Sequence, residues 1–500
     1  QVGKMAYDAI VVPECETLRS TTLERLETFR DAGGTLIFMG SKPSLENAMP
    51  SDRGAKLYDR SISISFSNGA LLNALKEYRT IDLRNGDGSL TTNLLYQLRQ
   101  DGQDRWLFIA HDGTNPYNKD VSTRQTLQIR VVGKFRVELY NTLDGSHGPV
   151  SVQHRGNETI IDTAIYDYDS LLYRLIPSEK EETISVPEAV NGKSEHIRLA
   201  PEVSYELSEP NAYILDIAEF AIDNEPYEPE EEILRAENIC RNKLGLRPRG
   251  GHVVQPYILE KQPAKHQMRM RFTIESAIDY TSPLLALENA ELSRIIWNNQ
   301  EVAPVPNGWY VDKAIRTVPL PELKQGINIL EIIQPLGKRT NAEWCYLLGN
   351  FGVELRGRCK KIIPLPKTLA FDSIVHQGLP FYSGCVSYQI ETITSGGACA
   401  LHLPHYRAGV MKVFLDGKDM GHVAYPPYNC DLGTPEAGKH RLTVKLFLSR
   451  NNGFSPLHLA DTKREYQDPN TWRVTGDKWS YEYHPFPEGL LSTPILTETK

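Results

Sequence analysis

The apolar residues of this chain change their period partway along it. Between Tyr7 and Gly40 they form two nearly continuous runs with a helical spacing between them, and from about Trp106 onward they alternate with polar residues. A continuous run suits a parallel strand covered on both faces, whereas alternation suits a strand with one face in a core and the other in water. These patterns belong to different architectures, and 500 residues are enough for roughly three to four domains of about 100 to 200 residues each. The expectation is a multidomain, mainly β chain that opens with an α/β layer.

The opening layer is read from three segments. Tyr7-Asp-Ala-Ile-Val-Val-Pro13 is a buried strand, Leu23, Leu26 and Phe29 repeat at helical spacing, and Thr35 to Gly40 is a second buried strand. Thr21 with Glu24 has the capping-box pattern and Gly33-Gly34 supplies the stop, so the first 40 residues form a β-α-β unit, Rossmann-like or flavodoxin-like. A further helix is expected over Gly69–Tyr78. The glycines fit neither G-x-G-x-x-G nor G-x-x-x-x-G-K-[ST], so no phosphate cradle and no nucleotide cofactor is expected.

Leu127–Val131, Phe135–Tyr140 and Glu158–Asp162 alternate and are separated by Gly and Asn turns, which gives a small β-sandwich over 104–178. Polar Pro177–Glu182 reads as a joint. The remainder is mostly β, with one helix expected over Pro229–Leu244, its proline at the first helical position.

An internal echo follows. Ile295–Val302, Gly308–Asp312 and Leu323–Leu330 run strand, turn, strand, aromatic loop, Gly-initiated strand, and Val413–Met420, Tyr425–Leu432 and Gly438–Val444 repeat that order. Both stretches resemble the galactose-binding-like jelly-roll modules of glycoside hydrolases, through Asp416-Gly417-Lys418-Asp419-Met420-Gly421 and Gly326-Ile327-Asn328-Ile329-Leu330. Asn299 stands where the first hairpin would carry Gly, and His440 where the second strand would carry Asn. A wider likeness links Tyr7–Gly40 to the flavodoxin-like domain of large glycosidases. Glu209-Pro-Asn211, Ile214-Leu-Asp216, Tyr346–Val353, Gln377–Gly384 and Pro487–Leu491 resemble the C-terminal half of α-L-rhamnosidase-type glycoside hydrolases.

The resemblance implies a flavodoxin-like domain over 1–103, the small sandwich over 104–178, and galactose-binding-like sandwiches over 196–365 and 366–500. It also implies a carbohydrate partner, with acid and base carboxylates on a catalytic barrel of the same full-length protein that this chain does not contain. The expectation is therefore an accessory, noncatalytic region, inactive alone. An intact glycosidase using its own carboxylates, or a stand-alone glycan-binding protein, are the alternatives.

Net charge is −8 and the cations are scattered, so no basic stripe is expected for a nucleic acid backbone. The longest apolar runs fall short of the ~20 residues that cross a bilayer. The seven cysteines (Cys15, Cys240, Cys345, Cys359, Cys385, Cys399 and Cys430) are widely spaced without a C-x-x-C pair, and most are expected as buried thiols. Gln1–Lys4 run into the first strand without an initiating Met or a basic leader, so the chain reads as truncated there.

Glu225, in Asn224-Glu225-Pro226, looks like the acid/base motif of barrel glycosidases, which needs a second carboxylate about 5 to 9 Å away. The acidic run Glu228, Glu230, Glu231 and Glu232 follows at once, and a turn before the helix is the preferred reading. Cys15 ends the first strand without a glycine elbow, between Glu14 and Glu16, and reads as an inert thiol whose pKa those carboxylates raise. His402 and His405, with Asp372 and His376 upstream, have the wrong spacing in a strand to grip a metal together. Asp167-Tyr168-Asp169 and Asn85-Gly86-Asp87-Gly88-Ser89 offer oxygen ligands but read as turns, so no metal is assigned. Sugar recognition uses aromatic faces beside planar polar groups. Loops combining both point to Trp309, Tyr310, Asp312, Tyr425, Tyr428, Asn429, Asp431, Trp472 and Trp479, with Asp477 alongside.

Overall fold

The computed structural model describes residues 6–112, 124–180, 194–249, 262–462, 468 and 470–500. The chain is mainly β and divides into two compact units, one drawn mostly from residues 6–180 and one mostly from 194–500. Gln1–Lys4 and the end of the joint at Glu181-Glu182 lie outside the described residues.

The N-terminal unit opens with a three-stranded parallel sheet in which Thr35–Met39 lies between Ala9–Val12 and Ile62–Ile64. Helices α1 (Ser20–Asp31) and α2 (Arg53–Asp59) join Val12, Leu23, Leu26, Leu36, Phe38 and Leu57 in one core. The capping box is not formed: α1 begins at Ser20 and its N-cap Arg19 makes no side-chain cap. The stop is as expected, with Gly33 at φ +90° and Gly34 so close to the Phe29 ring that a Cβ there would collide with it. Helix α3 (Asn68–Ala74) and a 3₁₀ turn (Lys76–Tyr78) occupy the expected Gly69–Tyr78 segment.

The small sandwich begins at Ile81, not at residue 104. Strand Ile81–Asn85 pairs with Arg124–Val132, and Leu94–Asp101 pairs with Asp104–His111. Ile81 and Leu83 are buried with Ile109, Ile129, Val137, Ile161 and Tyr173 between a four-stranded and a five-stranded sheet. Ile81-Asp-Leu-Arg-Asn85 already alternates, but two inward residues in so short a strand are a weak signal.

The C-terminal unit holds two larger sandwiches, one central and one terminal. In the central one a sheet of Asn211–Leu215, Cys345–Gly349, Leu284–Glu288, Asp312–Pro319 and Gly308–Tyr310 packs on a sheet containing Ile217–Ile222, His266–Ser276, Gly326–Leu336 and the hairpin Arg294–Trp297/Gln300–Val302. In the terminal one Ser194–Ile197, Ile495–Thr499, Ala398–His402 and Asn429–Gly433 face Glu202–Leu207, Cys385–Thr394, Gly438–Phe447 and the hairpin Val410–Leu415/Lys418–Val423. Each hairpin lies beside a long strand that lies beside another long strand, so the echo read in sequence is one strand order used twice.

The domain limits differ from those expected. Ser194–Ile197 pairs with Ile495–Thr499 and Glu202–Leu207 with Cys385–Thr394, so residues 194–207 belong to the terminal sandwich and the central one is inserted within it. Leu457 and Tyr483, from the C-terminal stretch, are buried in the central core. Local pattern does not report such exchanges, because each strand looks the same whichever sheet receives it.

Residues 228–232 also depart from expectation. They form an edge strand paired with Ile217–Ile222, and helix α4 begins only at Ile233 (Ile233–Lys243). Glu232, not Pro229, sets its start, accepting the Arg235 N–H at 3.1 Å. The acidic run is not uniformly solvated, since Glu232 is 1% exposed.

Candidate functional site

Where the chain crosses between the two large sandwiches it leaves a groove of about 410 Å³, lined among others by Tyr205, Glu209, Asn211, Tyr280, Asn350 and Lys367. Tyr205 projects from Glu202–Leu207, and its hydroxyl donates to the Pro366 carbonyl at 2.7 Å. Burial pushes that phenol up to about 12. The Tyr280 hydroxyl accepts the Asn350 N–H at 2.9 Å, and its ring meets Phe351 edge to face at 5.6 Å. Gly349 lies beneath both rings, where a Cβ would collide with each. Glu209 is gripped by both terminal nitrogens of Arg450. Buried Asn211 donates to the Phe351 carbonyl at 2.8 Å and the Gly378 carbonyl at 3.2 Å.

The walls are therefore fixed before any ligand arrives, while two groups stay exposed. Among the described residues neither the Asn350 carboxamide nor the Lys367 ammonium has a side-chain partner. Fixed aromatic rings beside an open amide and an ammonium can hold the C–H face of a sugar ring and bond its hydroxyls. Glu209-Pro210-Asn211 and Leu348-Gly349-Asn350 come from segments quoted above for the family resemblance, whereas Tyr205, Tyr280 and Lys367 were missed. A polar, aromatic turn at Tyr280-Thr-Ser-Pro283 was the available signal.

A second cluster is sealed inside the central sandwich. Asp216, fully buried, accepts from Lys360 Nζ at 2.9 Å and the Tyr483 hydroxyl at 2.6 Å, and lies 3.0 Å from His458 Nε2. Burial alone would raise the Asp216 pKa, but the Lys360 ammonium and the hydrogen bonds hold it well below the usual carboxylate range. Burial pulls Lys360 down against the attraction of Asp216. Glu232 accepts the Trp344 indole N–H at 2.6 Å, and burial pushes it up to about 7. Glu488, 3% exposed, is likewise pushed up to about 7 by burial, against bonds from Ser449. A general acid needs such a pKa, but these carboxyls are closed to substrate.

The residues singled out in sequence do not converge on one place. Trp309 lies on the edge strand Gly308–Tyr310 and is 53% exposed, whereas Tyr310 is 4% exposed and packs on Tyr346 and Phe454. Asp312 accepts the Ala314 N–H at 2.7 Å. In the terminal sandwich Tyr425 is exposed, Tyr428 meets Tyr406 edge to face at 5.0 Å, Asn429 bonds His402, and Asp431 accepts the Gly433 N–H. Trp472 borders the central core, and Trp479 lies 4.7 Å beneath the Arg235 guanidinium and 4.8 Å from His458, with exposed Asp477 nearby. Glu225 sits on an exposed turn after Ile217–Ile222 and donates its N–H to the Ile222 carbonyl.

Burial, rather than its carboxylate neighbours, pushes the half-buried Cys15 thiol up. Cys240, Cys345, Cys399 and Cys430 are buried, while Cys359 is exposed. Asn85 and Asp87 bond within their own turn, to Ser89, and Tyr168 takes a positive φ of 62° between Asp167 and Asp169. Among the described residues no group of three or more His, Cys, Asp or Glu is placed to hold a metal, and no helix is long and apolar enough to cross a membrane.

No family model and no curated protein matches the sequence. Among solved structures, the chain is similar to a rhamnosidase from Novosphingobium sp. PP1Y, with 12% identity and TM-score 0.41 over 96% of this chain and 33% of that one. It is similar to an α-L-rhamnosidase from Streptomyces avermitilis complexed with L-rhamnose, with 11% identity and TM-score 0.24 over 83% of this chain and 38% of that one. A GH2 β-galacturonidase from Eisenbergiella tayi aligns with 11% identity and TM-score 0.17 over 48% of this chain and 36% of that one. The chain thus spans about a third of the length of these proteins.

Proposed function

We propose that this chain is the accessory, carbohydrate-associated region of a glycoside hydrolase of the α-L-rhamnosidase type. In this reading a flavodoxin-like layer and galactose-binding-like sandwiches support a catalytic barrel that carries the acid and base. The observation that carries it is the groove between the large sandwiches, where fixed Tyr205 and Tyr280 rings stand beside the open Asn350 amide and Lys367 ammonium. A sugar ring packs its C–H face on such rings and exchanges water for amide bonds at its hydroxyls. The state of the carboxylates supports the same reading, since Glu232 and Glu488 are sealed and Glu225 stands on an open turn. Exposed Trp309 and Tyr425 serve as outlying sugar contacts.

The purified chain is expected to leave aryl α-L-rhamnosides and aryl β-galactosides intact. It is also expected to give saturation transfer to a rhamnose-containing oligosaccharide in ligand-observed NMR. Asn350→Ala and Lys367→Ala each weaken that binding by about threefold to tenfold. Turnover that Glu225→Gln abolishes would make the chain an intact enzyme instead.

A further inference from the structure

The N-terminal unit carries a second groove, of about 470 Å³, between α3 with its 3₁₀ turn and the strands Ile81–Asn85 and Arg124–Val132. Its floor follows from strand register. Ile81 and Leu83 point into the core, so Asp82 and Arg84 point out, opposite Arg130 and Gln128 of the neighbouring strand. Lys76, Arg79, Arg84 and Arg130 line the groove against two carboxylates, Asp82 and Glu158. In a chain of net charge −8 this local excess of cations runs against the average.

The cations are not equivalent. Arg79 and Arg84 both donate to the Asp82 carboxylate, Arg84 Nε at 2.9 Å. Burial works against that charge, but the two guanidinium bonds hold Asp82 below its ordinary range. Arg130 has no ion-pair partner among the described residues: its Nε and Nη2 donate to Gln128 Oε1 at 3.0 and 2.8 Å, which fixes the guanidinium plane across the strand from an Asp82 that Arg79 and Arg84 already hold. Exposed Lys76 has no ion-pair partner among the described residues. Leu72, Leu90 and Val132 add an apolar wall, and Asn73, Thr80 and Glu158 add hydroxyl-bonding groups.

We propose that this groove binds an acidic sugar unit, an oxyanion carried on a hydroxylated ring. Arg130 and Lys76 take the oxyanion, the leucines take the C–H face, and Glu158 with Thr80 takes hydroxyls. A bare inorganic anion would leave the apolar wall and Glu158 unused. A nucleic acid backbone would set successive phosphates against Asp82 and Glu158. The proposal does not depend on the reading of the groove at Tyr205.

The test is isothermal titration of the whole chain with five probes: a galacturonate disaccharide, a sulfated disaccharide, a neutral disaccharide, inorganic sulfate and a short single-stranded oligonucleotide. The expected result is saturable binding of at least one acidic disaccharide, weakened by salt, with the neutral sugar and free sulfate bound at least about tenfold more weakly. Which acidic disaccharide binds separates carboxylate from sulfate ester. Arg130→Gln with Lys76→Gln lowers the affinity by about tenfold or more at unchanged melting temperature. Equal binding of the neutral sugar or of free sulfate, no saturable binding of either acidic disaccharide, an unchanged affinity in the double variant, or tighter binding of a short single-stranded oligonucleotide overturns the proposal.

Discussion

Glu232 shows how far a side chain's chemistry can depart from its sequence context. Read within Glu228–Glu232 it is one more solvated carboxylate, yet its strand turns it inward against Trp344 and the first turn of α4. Its pKa is raised from 4.5 to about 7. The folded state therefore keeps a proton that the unfolded chain has already lost. From this group, stability is highest below pH 4.5, falls as pH rises toward 7, and is level above. The loss is on the order of 3 kcal/mol. Glu232→Gln, neutral throughout, should flatten the fall in urea-denaturation stability between pH 5 and pH 8; an unchanged slope would assign the fall to other groups. Asp216 is the opposite case. A charged residue closing the buried run Asn211–Leu215 was visible in sequence, but the identity of its partners, far along the chain, was not.

At the scale of elements, one turn device recurs. Asp223, Asn298 and Asp416 take positive φ of 49°, 47° and 51°, and each side-chain oxygen accepts the N–H of a residue on the facing strand, Gln267, Ile329 and Arg441, at 2.8 Å. The residue before each of these completes the arrangement: His266 bonds Asp223, Asn328 accepts from Asn298, and His440 bonds Asp416. His440 and Asn299 were departures from the expected motif. In the structure Asn299 takes φ +65° where Gly417 takes φ +81°, and His440 fills the place of Asn328. Its hydrogen bond to Asp416, with one to the Glu436 carbonyl, raises the His440 pKa above 6.5. That contribution is complete below pH 6.5 and is lost as pH rises through the folded value. His440→Asn should keep the hairpin and remove this loss, seen as a smaller shift of melting temperature between pH 6 and pH 9. A variant with the parent's full pH dependence would contradict the assignment.

At the scale of the whole molecule, the C-terminal unit is interwoven. Residues 194–207 build the terminal sandwich, and 211–249 with 262–363 the central one; 369–447 return to the terminal sandwich, Leu457 and Tyr483 enter the central core, and 495–499 close the terminal sheet. Such exchange couples the two cores, so they should open together. Native-state hydrogen exchange is expected to give Ile214 and Leu442 one common opening free energy. Asp216→Asn, which strips the buried Lys360 ammonium of its carboxylate, should lower both by about 3 to 5 kcal/mol. Loss confined to the central sandwich would show the cores to be independent. The sequence by itself determined the α/β opening, the mainly β remainder, the doubled strand order and the turn residues, because periodicity and backbone conformation are properties of a few neighbouring residues. Only the tertiary structure decided which sandwich receives each strand, which carboxylates are sealed, and that Tyr205, Tyr280 and Asn350 line one groove. Those outcomes depend on segments tens to hundreds of residues apart being packed together, and packing at that separation leaves no mark in any single stretch of chain.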